Sequence, residues 1–414
     1  MGTRRFYLLA ALALFIAFTS CSKDDGATPP QGDGAIPPQG DVNIPDANFK
    51  AYLIGDSDIN TNGDAEISVA EAEAFTGAIV CVNEGISDLT GIEAFVNIKT
   101  LNCSENQLSS LDLSKNTALT ELNCHINELS SLDLSKNTAL TALNCFGNKL
   151  TDLDVSKNTA LTALNCSVNQ LSSLDLSKNT ALTELNCSIN ELSSLNVSNN
   201  TALTGLYCDN NQLSSLDVSK NTALTELNCS GNELSSLDVS KNTALTELNC
   251  AEIQLISLDI SKNTALKTLN CGNNLLSSLD VSKNTALTDL LCYGNKLTDL
   301  DVSKNTALTD LSCFGNQLTD LDVDNNTALT DLSCYGNKLT NLDVSKNTAL
   351  ISLHCGNNIL SSLNVKNGNN TGFSFFFAAQ NTSLSCIQVD DVAYSNANWS
   401  DRKDATASFS ENCP

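Results

Sequence analysis

The sequence predicts a repeating solenoid, β-rich within the α/β class. It has about fourteen stacked turns of 21 residues, a parallel β-sheet on one face and a small helical cap at the N-terminal end. Three observations carry this prediction. Thirteen cysteines, from Cys103 and Cys124 to Cys355, follow one another at steps of 21 residues without an insertion. Around each of them apolar and polar residues alternate, and a period of two belongs to a strand. The rest of each unit holds no helical run, so a unit cannot bury its apolar residues alone and must stack on its neighbours.

The chain has 414 residues and a formal charge of −25. That acidity argues against nucleic acid, whose binding needs clustered Lys and Arg, and against anionic lipid headgroups. Arg4 and Arg5 open the chain as a short basic region, and Leu8 to Phe18 is an apolar run of eleven residues. Such a run is too short for a bilayer, which takes about 20 residues, and suits a secretory signal over residues 1–20. Phe18-Thr19-Ser20-Cys21 resembles the lipobox of bacterial lipoproteins, which implies lipidation of Cys21 and an outer-membrane anchor. An ordinary cleaved signal is the alternative. Ser22-Lys23-Asp24-Asp25 resembles the export signal that carries lipoproteins of Bacteroidota-type bacteria to the cell surface. Residues 21–42 read as a Pro/Gly-rich disordered tether, built on a near-duplicated octapeptide and reaching at most ~50 Å.

Residues 43–78 are expected to form the helical cap. Phe49, Tyr52 and Leu53 fall at helical spacing after Pro45, and Ser68 with Glu71 makes a capping box for a second helix over roughly 69–76. The loop between them resembles an EF-hand. In one register Asn60, Asn62, Asp64 and Glu71 would be Ca²⁺ ligands, with Glu71 in the bidentate place. That register puts Ala65 where a Gly belongs. The register starting at Asp58 gains Gly63 but puts Val69 in the place of the essential carboxylate. Calcium binding and a plain polar loop both remain open readings, and no other cofactor is implied.

The repeats run over 79–372. One unit reads Leu119-Thr-Glu-Leu122-Asn-Cys124-His-Ile-Asn127-Glu-Leu129, and Cys81 occupies the same slot in an irregular first turn. The pattern L-x-x-L-x-C-x-x-N-x-L resembles the leucine-rich repeat, with Cys in a core slot usually held by Leu. The resemblance implies a solenoid with Leu and Cys inside and an Asn ladder (Asn106, Asn127, Asn148 and onward) where the backbone turns. Ile253 replaces that Asn in one regular turn, so irregularity is expected near 251–256. The second half of each unit, L-x-x-L-D-V-S-K-N, should be extended or turn-like. In-register neighbours on parallel strands keep their Cβ atoms about 4.8 Å apart, whereas a disulfide wants about 3.8 Å. The ladder cysteines are therefore expected to be buried thiols. Residues 373–414 form the C-terminal cap, which resembles that of secreted bacterial leucine-rich-repeat proteins. Phe373, Phe375, Phe376 and Phe377 are expected to plug the open end of the core. Cys386 and Cys413 either bridge, pinning the free end, or stay as two thiols.

Catalysis finds little support. His125 and His354 lie eleven turns apart, ~50 Å at strand spacing. No nucleophile elbow, phosphate loop or H-E-x-x-H motif occurs. Eleven aspartates (Asp112, Asp133 and onward to Asp343) form one ladder, and ten lysines (Lys115 to Lys346) form another three residues further on. Paired charge ladders that keep the back soluble are the simplest reading. Binding belongs on the exposed strand face, where side chains differ between turns. Tyr293, Phe314 and Tyr335 follow the Cys in three consecutive turns, and Asp289, Asp310 and Asp331 precede it by three. Phe146 and Tyr207 are isolated aromatics on the same face. An aromatic–acidic strip suits a protein or glycan ligand, although stacked aromatics also stabilise neighbouring strands. The expected function is non-enzymatic binding or adhesion at the cell surface by a monomer, in loose resemblance to internalin-type adhesins. A passive surface spacer and an enzyme are the alternatives.

Overall fold

The computed structural model describes residues 40–414; the expected signal, Cys21 and most of the tether lie outside the described residues. Fifteen three-residue strands form one parallel sheet, running from Ala78–Val80 to Phe375–Phe377. Register is strict: Leu122 lies against Leu143 and Leu164 against Leu185, each one repeat apart. The solenoid therefore has one strand more than the fourteen turns expected. The sheet passes the expected boundary at residue 372, because Ala378, fully buried, takes the Cys slot of the last turn.

Each turn sends the same residues inward. In the turn around Cys124, the side chains of Leu119, Leu122, Cys124, Leu129, Leu132 and Leu134 are all buried. Fourteen cysteines, Cys81 to Cys355, are buried free thiols. Burial pushes these thiols up, Cys166 and Cys355 to about 12, so they behave as small apolar side chains.

Two asparagine ladders hold the turns. Asn127 accepts from the Leu108 N–H at 3.0 Å and donates to the Cys103 and Cys124 carbonyls at 3.0 and 3.1 Å. The second ladder, Asn116 to Asn347, is wholly buried on the other side of the turn. Asn137 donates to the Leu113 and Asn116 carbonyls at 3.0 and 2.9 Å. Its Oδ1, like those of the other eleven, accepts no hydrogen bond among the described residues.

The residue two after each Cys is left-handed in every turn from Asn83 to Gln380. Glycine fills several of these positions, but Ile126 (φ 50°), Val168 (54°) and Ile189 (54°) fill three. The turn at Ile253 is irregular as expected, with Gln254 as a second left-handed residue at φ 63°.

The back of the solenoid differs from expectation. The ladder aspartates and lysines form no ion pair with one another among the described residues. Each Asp instead caps its own turn: Asp133 Oδ1 accepts the Ser135 N–H at 2.8 Å. That backbone hydrogen bond, with the Ser135 hydroxyl, holds the carboxyl below its usual range.

Both ends are closed. Helix α1 (Ala47–Gly55) starts at Asp46, which accepts the Asn48 and Phe49 N–H groups on one oxygen and Ser87 and Asp88 N–H groups on the other. One carboxylate thus ties the cap to the first turn. Val80 N–H in the edge strand donates to the Tyr52 hydroxyl at 2.9 Å. Gly40 and Val42, assigned to the tether on sequence, are hydrogen-bonded to the cap residues Val69 and Ile67. At the other end a four-stranded parallel sheet (Asn341–Asp343, Ser362–Asn364, Cys386–Gln388, Ser408–Ser410) lines the back. Cys386 and Cys413 are disulfide-bonded. Of the four phenylalanines expected to plug the core, only Phe373 and Phe376 do so. Phe376 stacks on Trp399 of α3 (Val392–Trp399), with centroids 4.4 Å apart. Phe375 and Phe377 flank Phe376 in a strand, so the pleat turns them to the opposite, outer face, where Phe375 is 42% exposed.

Candidate functional site: the exposed strand face

The pleat that buries Leu and Cys turns the alternate residues outward, and strict register lines them up from turn to turn. Asp289, Asp310 and Asp331 are direct register partners. Three in-register carboxylates repel one another at strand spacing. Threonine hydroxyls offset part of this: Thr288 donates to Asp289 at 2.6 Å and Thr330 to Asp331 at 2.9 Å.

The aromatic residues beside this row form two groups. Tyr293 and Phe314 stack face to face, centroids 4.7 Å apart and planes 4° apart. The ring of Tyr293 also lies over Gly272, where a Cβ would collide with it. Tyr335 turns the other way and packs on His354 at 4.6 Å, and His354 meets Phe377 and Phe375 at 5.2 and 5.6 Å. Tyr293, Phe314 and Tyr335 are half-buried rather than fully exposed. The sequence did not reveal that His354, Phe375 and Phe377 extend the strip to the end of the sheet. Phe375 and Phe377 looked like core because they sit in an all-Phe strand.

The middle of the face carries a second polar group that sequence reasoning missed. Tyr207 donates to Glu226, and burial together with that carboxylate pushes its phenol up. Asp209 accepts from Ser188, Asn228 and Asn210 at 2.5, 2.9 and 2.8 Å, while burial raises its carboxyl. Glu184 and Glu247 are also raised by burial. The available signal was Gly205, which interrupts a row of acidic residues and leaves room for Glu184. Toward the N-terminus the face is plainer. Asn144, Asn165 and Asn186 each accept the N–H two residues on, at 3.2, 3.1 and 3.1 Å. His125 and His354 are both lowered by burial, which favours the neutral ring. His125 Nε2 lies 3.8 Å from Glu105, and His354 packs on Tyr335.

The cap loop is held together by its own hydrogen bonds. Glu71 Oε1 accepts from Thr61 N–H and Oγ1 and from Asn62 N–H, at 2.9, 3.0 and 3.2 Å. Its Oε2 accepts from Ser68 N–H and Oγ at 2.9 and 2.8 Å. Desolvation raises this carboxyl, but the five donors outweigh it and hold Glu71 at about 2. Asn60 spends its amide inward, donating to the Ile54 and Asp64 carbonyls and accepting the Gly63 N–H. Asn62 and Asp64 accept N–H groups two residues on. N–H and hydroxyl donors of the loop thus occupy the side-chain oxygens of the expected ligand set. Among the described residues no group of three His, Cys, Asp or Glu converges elsewhere. A cleft of about 580 Å³ lies beside α2 (Val69–Ala74), lined by residues including Asp58, Glu71 and Phe75, and no strand-face residue lines it. No helix among the described residues is long and apolar enough to cross a membrane.

A parallel sheet on one face, extended backs, an inward Leu–Cys register and an Asn ladder define a leucine-rich-repeat solenoid. No family model matches the sequence, and no curated protein matches it. Solved structures do. The functional domain of InlJ from Listeria monocytogenes, described as including a cysteine ladder, is 36% identical, with a TM-score of 0.70, over 83% of this chain and 80% of that one. The chain belongs to the internalin-type leucine-rich-repeat proteins. Two further structures share the fold. Internalin InlF from Listeria monocytogenes is 24% identical with a TM-score of 0.66, over 74% of this chain and 93% of that one. A leucine-rich-repeat protein of Leptospira interrogans is 22% identical with a TM-score of 0.65, over 80% and 94%.

Proposed function

We propose that this protein is a non-enzymatic surface adhesin that binds a protein or glycan ligand on its strand face, centred on Tyr293, Phe314, Tyr335 and the Asp289–Asp310–Asp331 row. One observation supports the reading most: the repeat is kept nearly constant inside and on the back, yet the face changes, and the aromatics gather in its last five turns. Half-buried rings beside half-buried carboxylates resemble the centre of an interface more than its rim. The basic start, the short apolar run of residues 1–20 and the lipobox-like Cys21 favour an outer-membrane lipoprotein on the cell surface.

The test is saturable binding of the purified protein to a panel of extracellular-matrix proteins and polysaccharides. Replacement of Tyr293, Phe314 and Tyr335 by Ala should abolish capture while the unfolding transition stays cooperative. Retained capture would sink the site. A spacer without a ligand would give no saturable binding in either form. The anchor is tested separately: Cys21→Ala should move the protein from the membrane fraction to the soluble fraction.

A further inference from the structure

We propose that the back of the solenoid is a self-association surface, on which two copies pair in parallel through their aspartate and lysine ladders. The two rows run the length of the repeats, three residues apart in each turn, and both are exposed. They form no ion pair with each other among the described residues. The aspartates spend one oxygen on capping their own turns, as in Ser219 N–H to Asp217 Oδ1 at 2.9 Å. Each ladder lysine acts on the carboxylate of its own turn only at longer range, lowering it slightly, as Lys220 does Asp217.

Geometry selects the partner. A second copy turned by half a revolution about an axis parallel to the solenoid, and laid back to back, sets each Asp row against the other copy's Lys row. The two rows have the same spacing, because both follow the strand register, so the match holds turn after turn. A copy turned about the perpendicular in-plane axis would oppose Asp to Asp and repel. Net charge also allows it: eleven Asp and ten Lys nearly cancel on this flank, although the chain carries −25. The acidic excess lies elsewhere.

The breaks in the ladders fit an in-register pair. The turn that lacks the Asp, at Asn196, also lacks the Lys, at Asn199, so the pair leaves no charge unmatched there. Asn325 is the exception and leaves Asp322 without its lysine. Five uninterrupted turns, from Asp217/Lys220 to Asp301/Lys304, give the contact its centre. Single exposed pairs contribute little, so the association depends on many pairs acting together and is sensitive to salt. This proposal departs from the monomer expected on sequence.

Sedimentation of the full chain tests it. A dimer is expected at about 20 mM salt, dissociating at about 500 mM, where the screening length falls to a few ångströms. Lys241, Lys262 and Lys283 replaced together by Glu should weaken the dimer about tenfold or more. The same change of charge at Lys149, Lys296 and Lys338, which lie outside the ladder, should leave it unchanged. Circular dichroism of all three proteins should coincide. A monomer at low salt, a dimer indifferent to salt, or equal loss in both triple variants would each overturn the proposal. A dimer lost instead by Tyr293→Ala, Phe314→Ala and Tyr335→Ala would place the contact on the strand face and overturn it too.

Discussion

The inside and the strand face of this solenoid are made by the same strands, one residue apart, yet they follow different rules. Inside, Leu, Cys and Asn recur almost without change, because each turn must fit the one before and after it. Outside, the residues run from Asn and Ser near the N-terminus, through Tyr207 and its carboxylates, to stacked rings at the end. A position that the stacking dictates cannot also be free to recognise something. The difference separates residues that make the fold from residues available for binding.

Several changes would break or sharpen that contrast. The largest effects are expected at Asn190 and at the terminal disulfide. Asn190→Ala would leave the Leu171 N–H and the Cys166 and Cys187 carbonyls without the amide they use. A loss of about 2–4 kcal/mol in urea unfolding is expected. Loss of the Cys386–Cys413 bridge, by replacing both with Ser, should cost about 3–4 kcal/mol for a 27-residue separation. Asn221→Ala, in the ladder whose side-chain Oδ1 atoms accept nothing among the described residues, should cost less, about 1–2 kcal/mol. A larger loss at Asn221 than at Asn190 would show that hydrogen-bond satisfaction does not rank the two ladders. Ile189→Asn should stabilise by up to about 1 kcal/mol, because a β-branched residue is strained in left-handed backbone and Asn adopts it readily. None of these four changes should alter ligand capture.

The smallest expected effect is a pH dependence of the cap. Glu71 lies below its unfolded value, so its contribution is fully present above about pH 4.5 and fades as pH falls through about 2. Amide exchange should quicken in residues 61–71 over that interval, ahead of the repeats. Glu71→Gln should remove the dependence.

Much of this was legible in the sequence, and the limits have physical causes. The Cys spacing stated the register directly, because one core slot per turn leaves one signature per turn. Phe375 was misread because four phenylalanines in five residues hide the alternation that decides which way each points. The Asn116–Asn347 ladder was not recognised as buried, since Ser-Lys-Asn-Thr has the composition of a surface turn. The left-handed conformation at Ile126 and Ile189 ran against residue preference and could only be imposed by the stack. The EF-hand-like spacing was real, but spacing does not say whether a carboxylate will meet a cation or the N–H groups of its own loop.

The sealed thiols have an experimental consequence. Since fourteen of them are inert while their turns stay closed, a thiol reagent cannot react until a turn opens. With one sulfur per turn, the mass gained at each cysteine would map where the array frays and how far the opening travels. The molecule thus carries its own ruler for measuring cooperativity along a one-dimensional protein.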